Sequence, residues 1–229
     1  MTDGRATADA TAARPKRPRG AVREGLIAAG LELARTGGPD AVVLREATRI
    51  VGVVPNAAYR HFADRDALLA AVCYAAMNQL GDRMAAEVAR VRGEYGDPDA
   101  AAHRLRAIGT AYLRFAHEEP GLFATAHALP GQHTYNAAPN ANADNAEPDR
   151  TPKAQLGAAL DELVDAGVLD PHSRAGIEFP IWSTVHGLAV LTGEGPLREI
   201  SDAELQDLEN LTLDFIGNSI AFLSGGAEP

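Results

Sequence analysis

Cysteine, lysine and aromatic residues are all scarce in this chain of 229 residues. Cys73 is the only cysteine, so no internal disulfide can form, and a reducing cytoplasm fits the composition. We expect its thiol to pack as a small buried apolar group. Aromatic residues make up 5% of the chain, and alanine supplies much of the 46% hydrophobic share, which favours helices.

Long apolar runs are missing as well. A charge-free apolar run, residues 67–80, is too short to cross a bilayer and contains Asn78 and Gln79. The N-terminus lacks the apolar centre of a signal peptide. The sequence therefore predicts a cytoplasmic protein with no membrane partner.

The residue patterns of common catalytic sites are also absent. No serine stands in a Gly-x-Ser-x-Gly motif, and the Gly-Glu-Gly of residues 193–195 follows a predicted helix rather than a strand. The seven histidines show neither His-x-x-x-His nor mixed Cys/His spacing. We expect no catalytic residue, no metal site and no cofactor, and hence a protein that is not an enzyme.

The net charge of −10 is divided unevenly along the chain. Residues 14–65 carry ten basic and five acidic side chains, a balance of +5, whereas residues 66–229 carry ten basic and 24 acidic ones, a balance of −14. A basic N-terminal quarter on an acidic body suits a protein that binds DNA with one end and repels phosphate with the rest.

Residues 1–18 are predicted to form a disordered arm with a basic end. Prolines keep residues 14–19 extended, and two interpretations of this stretch stay open. It is either a solvated tail or a segment that lies along the DNA backbone or in the minor groove.

Residues 19–65 are predicted to form a three-helix head that contains a helix-turn-helix. Apolar residues recur at intervals of three and four over residues 21–36, until Gly-Gly-Pro ends that helix. Residues 43–59 then have the pattern helix, glycine turn, helix, with Gly52 in the turn, where glycine adopts a left-handed conformation at little cost. Two helices hinged in this way place the second one in the DNA major groove.

Residues 66–229 are predicted to form a larger helical body for ligand binding and dimerisation, which makes the whole chain all-α. Asp64 should cap a long helix that ends near residue 92. Further helices are expected over about 97–118, 120–129, 153–167 and 171–191, the last kinked or divided by Pro180, and from a capping box of Ser201 and Glu204 onward. Residues 130–152 form a low-complexity loop, either a lid or a surface excursion.

The last predicted helix is apolar on two sides. One stripe passes through Leu211, Phe215 and Phe222, and the other through Leu213 and Ile216. Both sides must be buried, so one serves the protein's own core and the other implies a partner helix, most simply from a second copy. The sequence therefore predicts a homodimer.

Residues 19–72 resemble the TetR family of bacterial transcription regulators. After an apolar first helix, the resemblance is carried by Arg45-Glu46, Gly52-Val53, Pro55, Tyr59-Arg60-His61-Phe62 and Arg65-Asp66-Ala67-Leu68-Leu69. It implies an all-helical homodimer with a three-helix DNA-reading head, a ligand-binding body and effector-dependent release from an operator. Residues 182–188, Trp-Ser-Thr-Val-His-Gly-Leu, resemble the Trp-His-Gly signature in the C-terminal domain of one TetR-type subgroup.

Two valines depart from the family pattern. Val43 and Val54 stand where a serine or threonine commonly caps the two helices of the reading unit and contacts phosphate. Valine accepts no hydrogen bond from the exposed backbone N–H groups, and a lost cap costs about 1 kcal/mol. We expect a less stable or more weakly binding head, unless Asp40 or Pro55 shifts the helix starts.

The candidate DNA contacts lie mostly in the second helix of the reading unit. Asn56 and Arg60 are placed to face the groove, where Asn pairs with adenine and Arg with guanine. Tyr59 and His61 are expected to contact phosphate or sugar. The alternative is a solvated helical face with Tyr59 packed on the first helix. The full set is Arg19, Arg45, Pro55, Asn56, Ala57, Tyr59, Arg60 and His61.

The candidate effector contacts are aromatic and histidine side chains of the body. Trp182 and His186 share a helix face because they lie four residues apart. An apolar cavity with a few polar anchors is the expected form of the site, and ordinary core packing is the alternative for each residue. His117 is a further pocket candidate outside the assigned set. That set is Tyr112, Phe115, Phe123, His127, Trp182 and His186.

These features together predict a repressor that binds double-stranded operator DNA as a homodimer and is released by an unidentified small-molecule effector. Its two heads would enter successive major-groove faces about 34–36 Å apart, or a multiple of that. The fourth helix is the natural transmitter because it joins head to body. Two other functions stay open: a protein-binding helical adaptor whose head does not read DNA, and a helical enzyme that processes small molecules.

Overall fold

The computed structural model describes residues 19–129 and 149–224, and every regular element within these ranges is helical. The prediction of an all-α protein is thereby confirmed. Two 3₁₀ turns, Pro39–Ala41 and Pro171–Ser173, accompany the α-helices. The α-helices are α1 Arg19–Gly37, α2 Leu44–Val51, α3 Pro55–Ala58, α4 Arg65–Val88, α5 Pro98–Glu118, α6 Pro120–Ala126, α7 Pro152–Asp165, α8 Glu178–Gly193 and α9 Asp202–Ser224. The predicted arm, residues 1–18, and most of the predicted loop lie outside the described residues.

The head is formed by α1, α2, α3 and the start of α4. Gly52 ends α2 in the left-handed conformation, with φ 72° and ψ 37°, as the turn pattern predicted. Leu26, Ala47, Ala58 and Phe62 fill the centre, and none of them exposes more than 3% of its surface. The α-helical part of the reading segment is short, since α3 ends at Ala58, and a tight turn carries the chain to Phe62.

Side-chain caps begin several helices where the sequence predicted them. An Asp64 carboxylate oxygen accepts from the Ala67 amide at 2.8 Å at the start of α4. At the start of α5, an Asp97 carboxylate oxygen accepts from the Ala100 amide at 2.7 Å. Before α9, the Ser201 amide donates to the Glu204 carboxylate at 2.8 Å, and the Glu204 amide donates to the Ser201 hydroxyl. This reciprocal pair is the expected capping box.

The two reading helices begin without such caps. Neither Val43 nor Val54 makes a side-chain hydrogen bond to its helix, and the helix starts are not moved. Pro55 occupies the first turn of α3 and removes one of the N–H donors that would otherwise need a partner. Asp40 instead lies in the 3₁₀ turn, within 3.7 Å of Arg65.

Pro180 does not kink a helix, contrary to expectation. The segment of residues 171–191 is divided, but the break falls at residues 174–177, before α8 begins at Glu178. Pro180 is the third residue of α8, where its missing N–H would have no intrahelical partner in any case. Two predicted ends also shift, because α4 stops at Val88 rather than near residue 92 and α6 stops at Ala126.

The body is built around α5, which packs against α4, α6, α7, α8 and α9. On α9 the two predicted stripes separate as expected. Leu213 and Ile216 are buried in the body's own core, whereas Leu211, Phe215 and Phe222 are 65%, 61% and 77% exposed. Among the residues that the structure describes, no helix is both long enough and apolar enough to span a membrane.

Candidate DNA-reading surface and effector site

The reading segment presents a continuous polar and aromatic face to solvent. Ala58 and Phe62 are buried on its inner side, and this anchoring turns Asn56, Tyr59 and Arg60 outward. Tyr59 is 57% exposed rather than packed away against α1. Pro55 is also exposed, while Ala57 and His61 are partly exposed at the edges of this face. All six predicted contacts of the segment therefore remain accessible to a ligand as large as DNA.

Arg45 and Arg49 line the exposed side of α2. Arg49 donates to the Glu46 carboxylate at 2.8 Å and is 74% exposed, and Arg45 is exposed one turn earlier. Behind them the Thr48 hydroxyl donates to the Arg45 carbonyl at 2.7 Å. Arg19 begins α1, and its side chain is outside the described part of the structure.

Arg65, which carries part of the family resemblance, has a structural task in this fold. Its guanidinium donates to the carbonyl of Val42 at 3.0 Å and to that of Pro39 at 2.8 Å. These two bonds fix the turn before α2 to the start of α4. The orientation of the reading unit thus depends on the first residue of the helix that leads into the body.

The Tyr112 hydroxyl lies at the centre of the predicted effector residues. It is 2.8 Å from His186 Nδ1 and 3.3 Å from His127 Nε2, and it accepts from Trp182 Nε1 at 3.3 Å. On its other side the His127 ring contacts the Phe123 carbonyl through Nδ1 at 2.9 Å. Side chains from α5, α8 and the end of α6 therefore meet at one oxygen atom.

Aromatic packing surrounds this oxygen. The Tyr112 and Phe123 rings meet edge to face with centroids 5.5 Å apart, and the His127 and His186 rings are 4.8 Å apart. The Trp182 ring lies 5.2 Å from His186. We call Tyr112, Phe123, His127, Trp182 and His186 the tyrosine–histidine cluster.

Phe115, the sixth predicted effector residue, does not join this cluster. It is fully buried on α5, and the Arg83 guanidinium lies over its ring, 5.4 Å from the centroid. The cation packs on the π-face, as such pairs commonly do. The other pocket candidate, His117, is exposed near the end of α5.

A cleft of about 500 Å³ lies elsewhere, between the end of α4 and the first half of α5. It is an open surface depression rather than an enclosed cavity, and no member of the tyrosine–histidine cluster lines it. Its walls include Glu87, Arg90, His103 and Arg106. The cleft is open to water, whereas an effector site is expected to enclose its ligand, so the cluster remains the candidate.

Head and body meet where α6 touches the end of α1. Gly121 packs so closely that an added Cβ would lie 2.3 Å from the carbonyl oxygen of Ala34 and 2.7 Å from that of Arg35. Beside this contact Arg35 Nε donates to the Glu119 carboxylate at 2.9 Å, and Arg83 of α4 approaches the same carboxylate. Three helices, α1, α4 and α6, are thus joined at one carboxylate.

Sequence reasoning identified the members of the cluster but missed this junction. Arg35 and Glu119 are 84 residues apart, and no local pattern links them. The sequence did offer one signal, the Glu-Pro-Gly of residues 119–121. A glycine in the first turn of a helix allows another backbone to approach closely.

Within the described ranges, no group of three or more histidine, cysteine, aspartate or glutamate side chains is arranged to hold a metal ion. The geometry is that of a helix-turn-helix head on a helical body with a polar aromatic centre. This combination defines the class as a helix-turn-helix transcription regulator.

Comparison with protein families supports this class and narrows it. Residues 26–72 match the bacterial regulatory proteins of the tetR family, and residues 105–215 match a tetracyclin repressor-like C-terminal domain. The two matches together cover more than half of the chain, one in the head and one in the body. The protein belongs to the TetR family. The matched domains do not distinguish the Trp-His-Gly subgroup, which stays a prediction.

Solved structures share the whole fold. A protein with unknown function from Rhodococcus sp. RHA1 has 22% sequence identity and a TM-score of 0.61, over 93% of this chain and 100% of that one. A TetR family transcription regulator from Marinobacter aquaeolei VT8 also has 22% identity, with a TM-score of 0.53 over 85% of this chain and 95% of that one. None of the curated proteins matches the chain significantly.

Proposed function

We propose that the protein is a cytoplasmic, homodimeric repressor that leaves its operator DNA when a small molecule binds in the body. The observation that carries this proposal is the outward face of the reading segment. Asn56, Tyr59 and Arg60 are exposed side by side, and the buried Ala58 and Phe62 hold them in place. Asn56 and Arg60 have the donors and acceptors that discriminate bases, and Tyr59 has a hydroxyl for the backbone.

The exposed stripe of α9 supports a second copy as partner. Leu211, Phe215 and Phe222 expose more than half of their surface, and Phe179 and Val190 of α8 are 48% and 46% exposed. Large apolar side chains exposed on neighbouring helices are commonly part of an interaction site. A twofold pairing through α8 and α9 would bury the same patch from both copies and pair two heads on a palindromic operator.

The tyrosine–histidine cluster supports an effector site in each body. Its hydroxyl, imidazole and indole groups converge inside an aromatic wall, the usual composition of a ligand pocket. Entry of an effector would have to replace the hydrogen bonds that now join Tyr112 to His127 and His186. Because His127 directly follows α6, such a rearrangement would act on the helix that touches the head.

A DNA-binding measurement tests the central claim. Fluorescence anisotropy with labelled DNA from upstream of the coding region, measured over a salt series, should show specific binding. The affinity should fall as the salt concentration rises. Replacing Arg60 with Ala should remove about 1–3 kcal/mol of discrimination at one base pair. Arg90→Ala is the matched control, because the Arg90 side chain is 72% exposed but lies two residues after α4 ends, in the body. Tyr59→Phe should weaken binding to all sequences alike.

Retention of full sequence preference by Arg60→Ala would contradict base reading by this residue. Absence of specific DNA binding at every salt concentration would instead favour the adaptor function. The uncapped starts of α2 and α3 and the exposed Val54 are the observations that favour an adaptor.

Sedimentation tests the dimer. Phe215→Asp places a charge in the middle of the exposed α9 stripe and should convert the dimer to monomer. Val54→Asp is the control, because Val54 is similarly exposed, at 68%, but lies in the head. A wild-type chain that sediments as a monomer at micromolar concentration would overturn the homodimer.

A further inference from the structure

An aliphatic side chain stands at the entrance of the reading segment. Val54 is 68% exposed, more than Ile50 or Val43, which are 48% and 39% exposed. The head does bury other aliphatic side chains near it in sequence, since Val42 and Leu44 are 0% and 7% exposed. Val54 is therefore an apolar group that the folded head leaves in water.

The backbone holds Val54 beside the DNA-reading face. Val54 immediately precedes α3 in an extended conformation, with φ −71° and ψ 146°, and its carbonyl accepts from the Ala57 amide at 2.9 Å. Its neighbours Pro55 and Asn56 are both exposed. Two methyl groups thus lie at the end of the segment that carries Asn56 and Arg60, which is the end that enters a groove first.

Valine at this position excludes the two tasks that a polar residue would perform. It neither caps α3 nor donates a hydrogen bond to phosphate. In the major groove the four bases offer only one apolar group, the C5-methyl of thymine. Removing both apolar surfaces from water is favourable, so this methyl group complements the Val54 side chain.

We propose that Val54 is a specificity-determining residue that contacts a thymine C5-methyl group in each half of the operator. The inference rests on the proposed DNA-reading function and adds a base preference to it. It also gives a role to the residue that leaves α3 uncapped.

Deoxyuridine substitution tests the contact, because it removes only the methyl group. Duplexes are first selected from a random pool by the full-length wild-type chain. Each thymine of one half-site is then replaced in turn by deoxyuridine, and affinity is measured by fluorescence anisotropy. One position should lose about fourfold in affinity, which corresponds to about 0.8 kcal/mol for one buried methyl group at 1.36 kcal/mol per tenfold.

Val54→Ala provides the matched variant. Alanine lacks the two methyl groups but, like valine, supplies no cap, so the start of α3 is not changed in hydrogen bonding. The variant should bind the thymine and deoxyuridine duplexes equally at the sensitive position. Ile50→Ala removes an exposed aliphatic side chain from α2 and should keep the fourfold difference. Circular dichroism and thermal melting establish that both variants are folded.

Each other outcome overturns the assignment. If no thymine is sensitive in the wild type, no methyl group is read; if Val54→Ala keeps the difference, another side chain reads it. If the wild-type chain selects no duplex at all, the proposed DNA-reading function itself fails, which distinguishes that failure from the failure of the Val54 contact.

Discussion

Replacing Gly121 with alanine is expected to disturb the junction between head and body. The added Cβ would lie 2.3 Å from the Ala34 carbonyl oxygen and 2.7 Å from that of Arg35, and both are backbone atoms of α1. Ordinary contacts begin at 3.4 Å, so α6 and α1 must separate by about 1 Å. No flexible side chain is present at this contact to absorb the change.

The expected cost follows from overpacking. An inserted methyl group in a tight contact costs about 1–3 kcal/mol. Alanine recovers up to about 1 kcal/mol of helix propensity over glycine. We therefore expect the free energy of unfolding to fall by about 1–2 kcal/mol. The separation would also stretch the Arg35–Glu119 bond, now 2.9 Å long.

Urea unfolding, monitored by circular dichroism, measures the loss of unfolding free energy. Fluorescence anisotropy with labelled DNA measures whether the disturbed junction changes DNA affinity. Gly157→Ala in α7 is the control, because the atom nearest to its Cβ would be a nitrogen of the Arg174 guanidinium, 3.8 Å away. That variant should be as stable as the wild type or about 0.5–1 kcal/mol more stable. The DNA affinity of Gly157→Ala should equal that of the wild type, whereas the DNA affinity of Gly121→Ala should differ from it.

Equal unfolding midpoints and equal DNA affinities for Gly121→Ala and the wild type would refute this reasoning. The α1–α6 contact would then be loose enough to accept a methyl group. Transmission through α6 would lose its physical basis, and α4 alone would remain as the connection.

Three further predictions concern the body. Arg104→Met leaves the Glu162 carboxylate, 5% exposed, without its cation and should cost about 3–5 kcal/mol in urea unfolding, whereas Glu162→Gln should cost much less. Tyr112→Phe keeps the ring but removes the hydroxyl that three side chains contact, and should cost about 1–3 kcal/mol in the same assay. Burial raises the pKa of the Cys73 thiol from 9.0 to about 11. Between these values the unfolded chain loses a proton that the folded chain keeps, so stability should fall by at most about 1.4 kcal/mol per pH unit, and a parallel titration of Cys73→Ala should lack this component.

The head and the helix starts were predictable because their signals are local. A single glycine, Gly52, ends α2 in a conformation that other residues adopt at a cost, and Asp64 lies three residues before the amide that it caps. The two apolar stripes of α9 were also predictable from the sequence. Three- and four-residue spacing alone separates the buried Ile216 from the exposed Phe215.

The position of a proline within its helix, and the side chains that meet between helices, could not be predicted from such local signals. Pro180 would interrupt a helix that began at Pro171, but the first turn of a helix that begins at Glu178 accommodates it. Phe115 and Tyr112 lie one turn apart on α5, yet Arg83 covers the first and histidines surround the second. Which neighbour each side chain meets depends on how distant helices dock, and single-sequence periodicity does not contain that information.

Two connections between body and head follow from this docking, and they differ in what they can transmit. Helix α4 runs without a break from the head into the body. Helix α6 touches the head at Gly121, and Phe123 in its middle and His127 just after its end belong to the tyrosine–histidine cluster. A ligand that displaces His127 would therefore act on α6, whose Gly121 lies against the carbonyl oxygens of α1. A coupling free energy of about 1–3 kcal/mol is enough for a useful switch, so a ligand that prefers one position of this short helix by that amount would change the affinity of the head for DNA.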